Sequence, residues 1–155
     1  MIRNMDDRVG YHIGIVAHFI QNSYNQKLAE YDLTIAQAKV LYMLVKYGDQ
    51  LQLELQNRLY IKSSTMNGII ESMLKKQLIN KKDSDSDRRS KIISLAEKGR
   101  VLEEKLWLGT KDMDAELLKG FIEVEKQLLL SSLKRIKHNL LENKEGNEHA
   151  TKISK

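Results

Sequence analysis

Apolar residues recur every three or four positions along most of the chain, and that spacing predicts a mainly helical protein. Val9, Ile13, Val16, Ile20, Tyr24 and Leu28 form one stripe, placing a first helix at about residues 7–30. The second begins at Thr34-Ile35-Ala36-Gln37, a capping box in which the threonine hydroxyl takes the Gln37 N–H and the glutamine reaches back. Leu33 is placed to staple onto Ala38, the stripe continues through Leu41, Leu44 and Val45, and Gly48 ends it. A short third helix, about 51–59, aligns Leu51, Leu55 and Leu59. After a tight turn at Tyr60-Ile61-Lys62, Ser63 or Ser64 caps a fourth helix. That helix turns Met66, Ile69, Ile70 and Met73 inward. Asn67, Gly68, Glu71 and Lys75 face outward, with Thr65 and Ser72 on its flanks.

The period then changes. Residues 79–82 and 91–95 read as two short strands around a polar loop at 83–90, a β-hairpin. Helical spacing resumes at Ala96 with Leu102, Leu106, Met113 and Leu117, breaks at Gly120, and returns over about 123–141 with Leu129, Leu133, Ile136 and Leu140. Glu123 and Glu125 suit the positive end of that last helix. The polar residues 143–155 are expected to form a disordered tail. The chain therefore divides into a first helix (1–32), a compact helical segment with a hairpin (33–99), two further helices (100–142) and the tail.

Charge changes this picture most. Residues 75–95 hold Lys75, Lys76, Lys81, Lys82, Arg88, Arg89 and Lys91 against Asp83, Asp85 and Asp87, a net +4 in a chain whose total is +5. A protein near neutrality elsewhere presents one short surface to a polyanion. Composition removes other classes. With no cysteine there is neither a disulfide nor a thiolate metal site. No apolar run approaches the roughly 20 residues of a membrane helix, and the N-terminus has no apolar signal core, so a cytoplasmic protein without membrane attachment is expected. His12, His18, His138 and His149 include no His-x-x-x-His pair, so no metal is expected. No nucleophile–base set, phosphate-binding glycine loop or paired carboxylate is present, which argues against an enzyme or a cofactor.

The third and fourth helices form a helix-turn-helix, in which the second helix enters the DNA major groove with its N-terminal residues toward base edges. Ser63, Ser64 and Thr65 can donate to phosphates or bases, Asn67 can bond adenine beside Gly68, and Lys75 and Lys76 lie where backbone phosphate would pass. The hairpin acts as a wing, with Arg88, Arg89 and Lys91 as cations for the narrow, electronegative minor groove. Asp87 is expected to order the wing, by accepting loop N–H groups or by pairing with an arginine.

These residues carry a resemblance. Glu54-Leu55, Arg58-Leu59, Ile61, Ser64-Thr65, Lys75-Lys76, Leu78-Ile79, Asp87-Arg88-Arg89-Ser90-Lys91, Ser94-Leu95 and Lys98-Gly99, with Leu33-Thr34, Gln37 and Val40-Leu41 upstream, resemble the MarR family of bacterial transcription regulators over about residues 8–141. The Asp-Arg-Arg wing is the most specific part. The resemblance implies a winged helix-turn-helix homodimer whose first and last helices pack across a two-fold axis. Its two wings would straddle a pseudo-palindromic operator in double-stranded DNA. It also implies a repressor released by a small aromatic or phenolic ligand, for which His12, Tyr42 and Trp107 are candidate pocket residues. Ordinary core is the other reading of Tyr11, Tyr42, Tyr47 and Trp107. Relatives usually carry glycine where this chain has Tyr60 and Gln77, positions that call for positive φ. Gly68 and Ser72 stand where relatives often carry arginine. That weakly basic reading helix supports the rival class, a protein–protein adaptor using the winged helix as a structural module.

Overall fold

In the computed structural model, which describes residues 3–153, the elements run α1 (Val9–Ala29), α2 (Ile35–Tyr47), β1 (Gln50–Leu51), α3 (Gln52–Arg58), α4 (Ser63–Lys75), β2 (Ile79–Asp83), β3 (Lys91–Leu95), α5 (Glu97–Leu117) and α6 (Glu123–Ile153). They fall into two units, 1–108 and 109–155. The first holds a three-stranded antiparallel sheet in the order β1-β3-β2. Its hairpin register pairs Ile79 with Leu95 and Asp83 with Lys91, and Gln50 pairs with Ile93 on the other side. The third helix was expected from about residue 51, but it starts at Gln52 and Leu51 belongs with Gln50 to the segment before it. That segment is a two-residue strand, recruited by the free edge of β3.

The core of this unit is apolar and continuous. Leu28 from α1, Leu33, Val40, Leu41 and Leu44 around α2, Leu55 from α3, Met66, Ile70 and Met73 from α4, and Leu78, Ile79 and Ile93 from the sheet are all buried. Helical spacing set the buried face of α2 and α4, whereas of the α1 stripe only Leu28 is buried and Val9 and Val16 stay exposed.

The helix ends explain the rest of the local geometry. Thr34 Oγ1 accepts from Gln37 N and Gln37 Oε1 accepts from Thr34 N, both at 3.2 Å, the reciprocal cap expected from the sequence. Gly48, at φ 75°, closes α2. At α4 the expected serine cap is absent. Lys62 takes the extended N-cap position without a side-chain bond, so Ser63 is already the first helical residue. Three helices end in one device. Asp32, Tyr60 and Gln77 adopt positive φ (53°, 55° and 60°). The next residue, Leu33, Ile61 or Leu78, donates its N–H five residues back, to Leu28, Gln56 or Met73, at 3.0–3.1 Å. These are Schellman closures, each followed by an apolar residue that turns into the core. Tyr60 and Gln77 therefore keep the turn geometry glycine would give, despite their side chains.

In the second unit, α6 starts where Ile122 N donates to Glu125 Oε2 at 2.9 Å. Residues 143–153, expected as a disordered tail, continue α6 as helix. That stretch contains no proline and a single glycine, so nothing in it terminates a helix already propagating from Leu141. Residues 154 and 155 lie outside the described residues.

Candidate nucleic-acid interface

α3, the Tyr60 closure and α4 make a helix-turn-helix whose second helix buries Met66, Ile70 and Met73. Ser63, Ser64, Thr65, Asn67, Gly68, Glu71 and Lys75 are left exposed on its outer side. Asn67 is not independent. Gln52 Nε2, in the first turn of α3, donates to Asn67 Oδ1 at 2.6 Å. Ser72 faces the protein, where its Oγ accepts from Gln37 Nε2 at 3.0 Å.

The wing is organised by Asp87. Its Oδ1 accepts from Arg89 N at 2.9 Å, its Oδ2 lies 3.5 Å from Ser90 Oγ, and its backbone carbonyl accepts from Ser90 N at 3.0 Å. An aspartate whose side chain accepts from the backbone N–H two residues on forms an Asx turn. It engages the carboxylate within the loop, where it orders the backbone that carries the arginines. Arg88 and Arg89 are both exposed. Of the two expected orderings of the loop, acceptance of loop N–H groups is the one present.

Two of the seven cations do not face outward freely. Lys91 lies opposite Asp83 in the hairpin and pairs with its carboxylate, while also donating to the Arg88 carbonyl at 3.2 Å. Lys76 is drawn back to the α1–α2 turn, where it meets the Asp32 carbonyl, Asp32 Oδ2 at 3.5 Å and Gln37 Oε1 at 3.2 Å. The remaining basic side chains of the segment are Lys75, Lys81, Lys82, Arg88 and Arg89, all exposed. Sequence reasoning treated Lys76 and Lys91 as contacts for DNA, and geometry gives both a structural partner. It also missed Gln52, and the bonds of the capping residue Gln37 to Ser72 and Lys76, because partners distant in sequence leave no local signal.

The proposed pocket residues separate. Tyr42 and Trp107 stack, centroids 5.7 Å apart and planes 9° from parallel. His12 instead bonds the Asp6 carbonyl at 2.7 Å and edges onto Tyr11. Tyr11, Tyr47 and Trp107 are 42–49% exposed, so the core reading fails for them. Arg58 lies over the Tyr47 ring at 3.8 Å and Lys46 lies near both Tyr47 and Tyr42. Tyr47, and after it Tyr42, hold the Lys46 ammonium above its ordinary pKa. On α5, burial pushes the Glu103 carboxyl up, Glu104 adds to that, and Arg100 opposes it. Among the described residues no group of three or more histidines and carboxylates could hold a metal ion.

A recognition helix, a closure in place of the usual glycine, and an arginine wing behind an Asx turn now stand together, and residues 33–91 match the model of the MarR family. That segment is similar to the MarR family. The chain is 24% identical over 125 residues to the uncharacterised HTH-type transcriptional regulator YsmB of Bacillus subtilis (strain 168), covering 81% of this chain and 86% of that one. A MarR protein from Peptoclostridium difficile has the same fold, with a TM-score of 0.83 at 19% identity over 90% of this chain and 92% of that one. So does MepR of S. aureus in complex with DNA, with a TM-score of 0.79 at 22% identity over 87% and 99%. The match to this MarR-family model covers the helix-turn-helix and the wing through Lys91, the segment whose geometry is described above.

Proposed function

We propose that this chain is a transcription regulator that binds double-stranded DNA, with α4 in the major groove and the Arg88–Arg89 tip at the adjoining minor groove. The observation that carries the reading is the wing. Asp87 is folded onto Arg89 N and Ser90, and the two arginines are exposed within the +4 segment. MepR, which shares the fold, is seen with DNA. The working form in this reading is a homodimer on a pseudo-palindromic operator. Support comes from apolar side chains exposed in each unit taken alone, among them Val9 and Phe19 on α1 and Val124, Leu128 and Leu140 on α6. No helix among the described residues is long and apolar enough to cross a membrane. The finer reading is a cytoplasmic repressor, released by a small aromatic or phenolic ligand that engages the Tyr42–Trp107 stack.

The test is a mobility shift on the DNA upstream of this chain's own gene, at two salt concentrations, with scrambled competitor. Sequence-selective retardation is expected. Replacing Arg88 and Arg89 by alanine should weaken binding to every sequence and flatten the salt dependence by about one counterion per lost phosphate contact. Selective binding that survives both changes intact would remove the wing from the interface, and no selective shift at all would favour the adaptor.

A further inference from the structure

The side chain best placed to read a base is already engaged within the protein. Asn67 lies exposed on the second turn of α4, and its Oδ1 takes the Gln52 amide at 2.6 Å. Gln52 is half-buried in the first turn of α3, so it approaches Asn67 from a fixed base. An asparagine that recognises adenine uses both ends of its amide, the oxygen for N6–H and the nitrogen for N7. Here the bond to Gln52 must be shared or broken before that pairing can form. What Asn67 offers without cost is Nδ2, a pure donor. The matching base edge presents only acceptors, and in the major groove that edge is guanine, with N7 and O6 side by side.

We propose that Gln52 is a specificity-determining residue, which holds Asn67 Oδ1 and so makes α4 select guanine, not adenine, at the base pair Asn67 meets. Gln52 is a positioning residue in this scheme. It acts through Asn67, and its removal frees the amide to rotate. The inference rests on the DNA-binding reading above.

The experiment is selection of bound duplexes from a randomised pool by the full-length protein, compared for wild type, Asn67→Ala, Gln52→Ala, the double variant and Gln52→Glu. Wild type should enrich guanine at one position of each half-site, and that position is identified as the one Asn67→Ala relaxes. Gln52→Ala should lose preference at the same position by about fivefold, the worth of one hydrogen bond. The double variant should lose no more than either single one. Gln52→Glu discriminates further. A carboxylate only accepts, so it can hold Asn67 only through Nδ2, which turns the amide over and presents Oδ1 to the groove. Preference should then move to a base with an exocyclic amine, cytosine or adenine. Adenine at the Asn67-dependent position of wild type overturns the inference, as does Gln52→Ala that keeps the wild-type preference. Those results leave the regulator reading standing, whereas a wild-type pool with no enriched sequence overturns both. If Gln52→Ala loses helicity, the base at the Asn67-dependent position of wild type decides alone.

Discussion

Replacing Gly99 by alanine tests how α5 is seated on the winged helix. A Cβ built at Gly99 falls 2.1 Å from the Leu78 carbonyl oxygen and 3.0 Å from Leu95 Cδ1, where real Cβ contacts stay beyond 3.0 Å. The overlap is therefore about 1 Å, and the obstacle is backbone. Leu78 cannot yield easily. Its carbonyl accepts from Ala96 N at 3.0 Å, its N–H closes α4 on Met73, and its side chain is buried. Overpacking of this kind costs roughly 1–3 kcal/mol, and loosening the Ala96 bond adds about 1 kcal/mol. Alanine returns about 1 kcal/mol of helix propensity. Because a carbonyl is stiffer than a side chain, the net expectation is the upper part of that range, about 2–3 kcal/mol, or a fall in Tm of about 5–10 °C for a chain of this size. Gly109 on the same helix is the control. Nothing lies within 4 Å of its added Cβ, so Gly109→Ala should be neutral or stabilising by up to about 1 kcal/mol. Urea denaturation followed by circular dichroism, at one protein concentration for all variants, gives both values. If Gly99→Ala is as stable as wild type, the close approach of α5 to Leu78 is wrong.

Three further outcomes follow from the geometry. Tyr60→Gly and Gln77→Gly relieve left-handed backbone that costs roughly 1–2 kcal/mol against about 0.5–1 kcal/mol of added chain entropy, so each should raise the unfolding free energy by a few tenths of a kcal/mol up to about 1 kcal/mol and move the urea midpoint upward. Lower midpoints would mean the side chains contribute more than the strain costs. Glu103 has a folded-state pKa above its ordinary value, so its contribution is fully present below the ordinary carboxylate range and is lost as pH rises through the raised value. Glu103→Gln should therefore be more stable than wild type at neutral pH, with the gap closing on acidification, as read by melting across pH. Lys76→Met removes the bonds to Asp32 and Gln37 and should destabilise by about 1 kcal/mol, yet leave the salt slope of DNA binding unchanged. Lys75→Ala should lower that slope by about one, and a slope that falls equally for both would place Lys76 on phosphate.

Much of this protein is legible from residue order because local rules act over a few residues. The Thr34–Gln37 cap, the Gly48 stop, the inward Met66–Ile70–Met73 face and the two strands flanking the wing all follow from spacing and side-chain type. So does the turn made by Asp87, whose partners Arg89 and Ser90 lie two and three residues on. The side-chain aromatics were harder. Trp107 and Tyr47 have large apolar rings that suit a core as well as a surface, and only the packing shows them exposed.

The sequence by itself determined the helix-turn-helix, the wing and the concentration of charge, since burial periodicity and capping are short-range and encoded by neighbours. Tertiary structure alone decided which charges and amides remain available. Lys76 is neutralised by Asp32 from 44 residues away, Gln37 holds Ser72 from 35, and Gln52 takes the oxygen of Asn67 from 15. Hydrogen bonds and close ion pairs depend on separations of about 3 Å in space, and no periodicity along the chain records them. The basic segment was visible in the sequence, but the set of side chains free to meet a nucleic acid exists only in the fold.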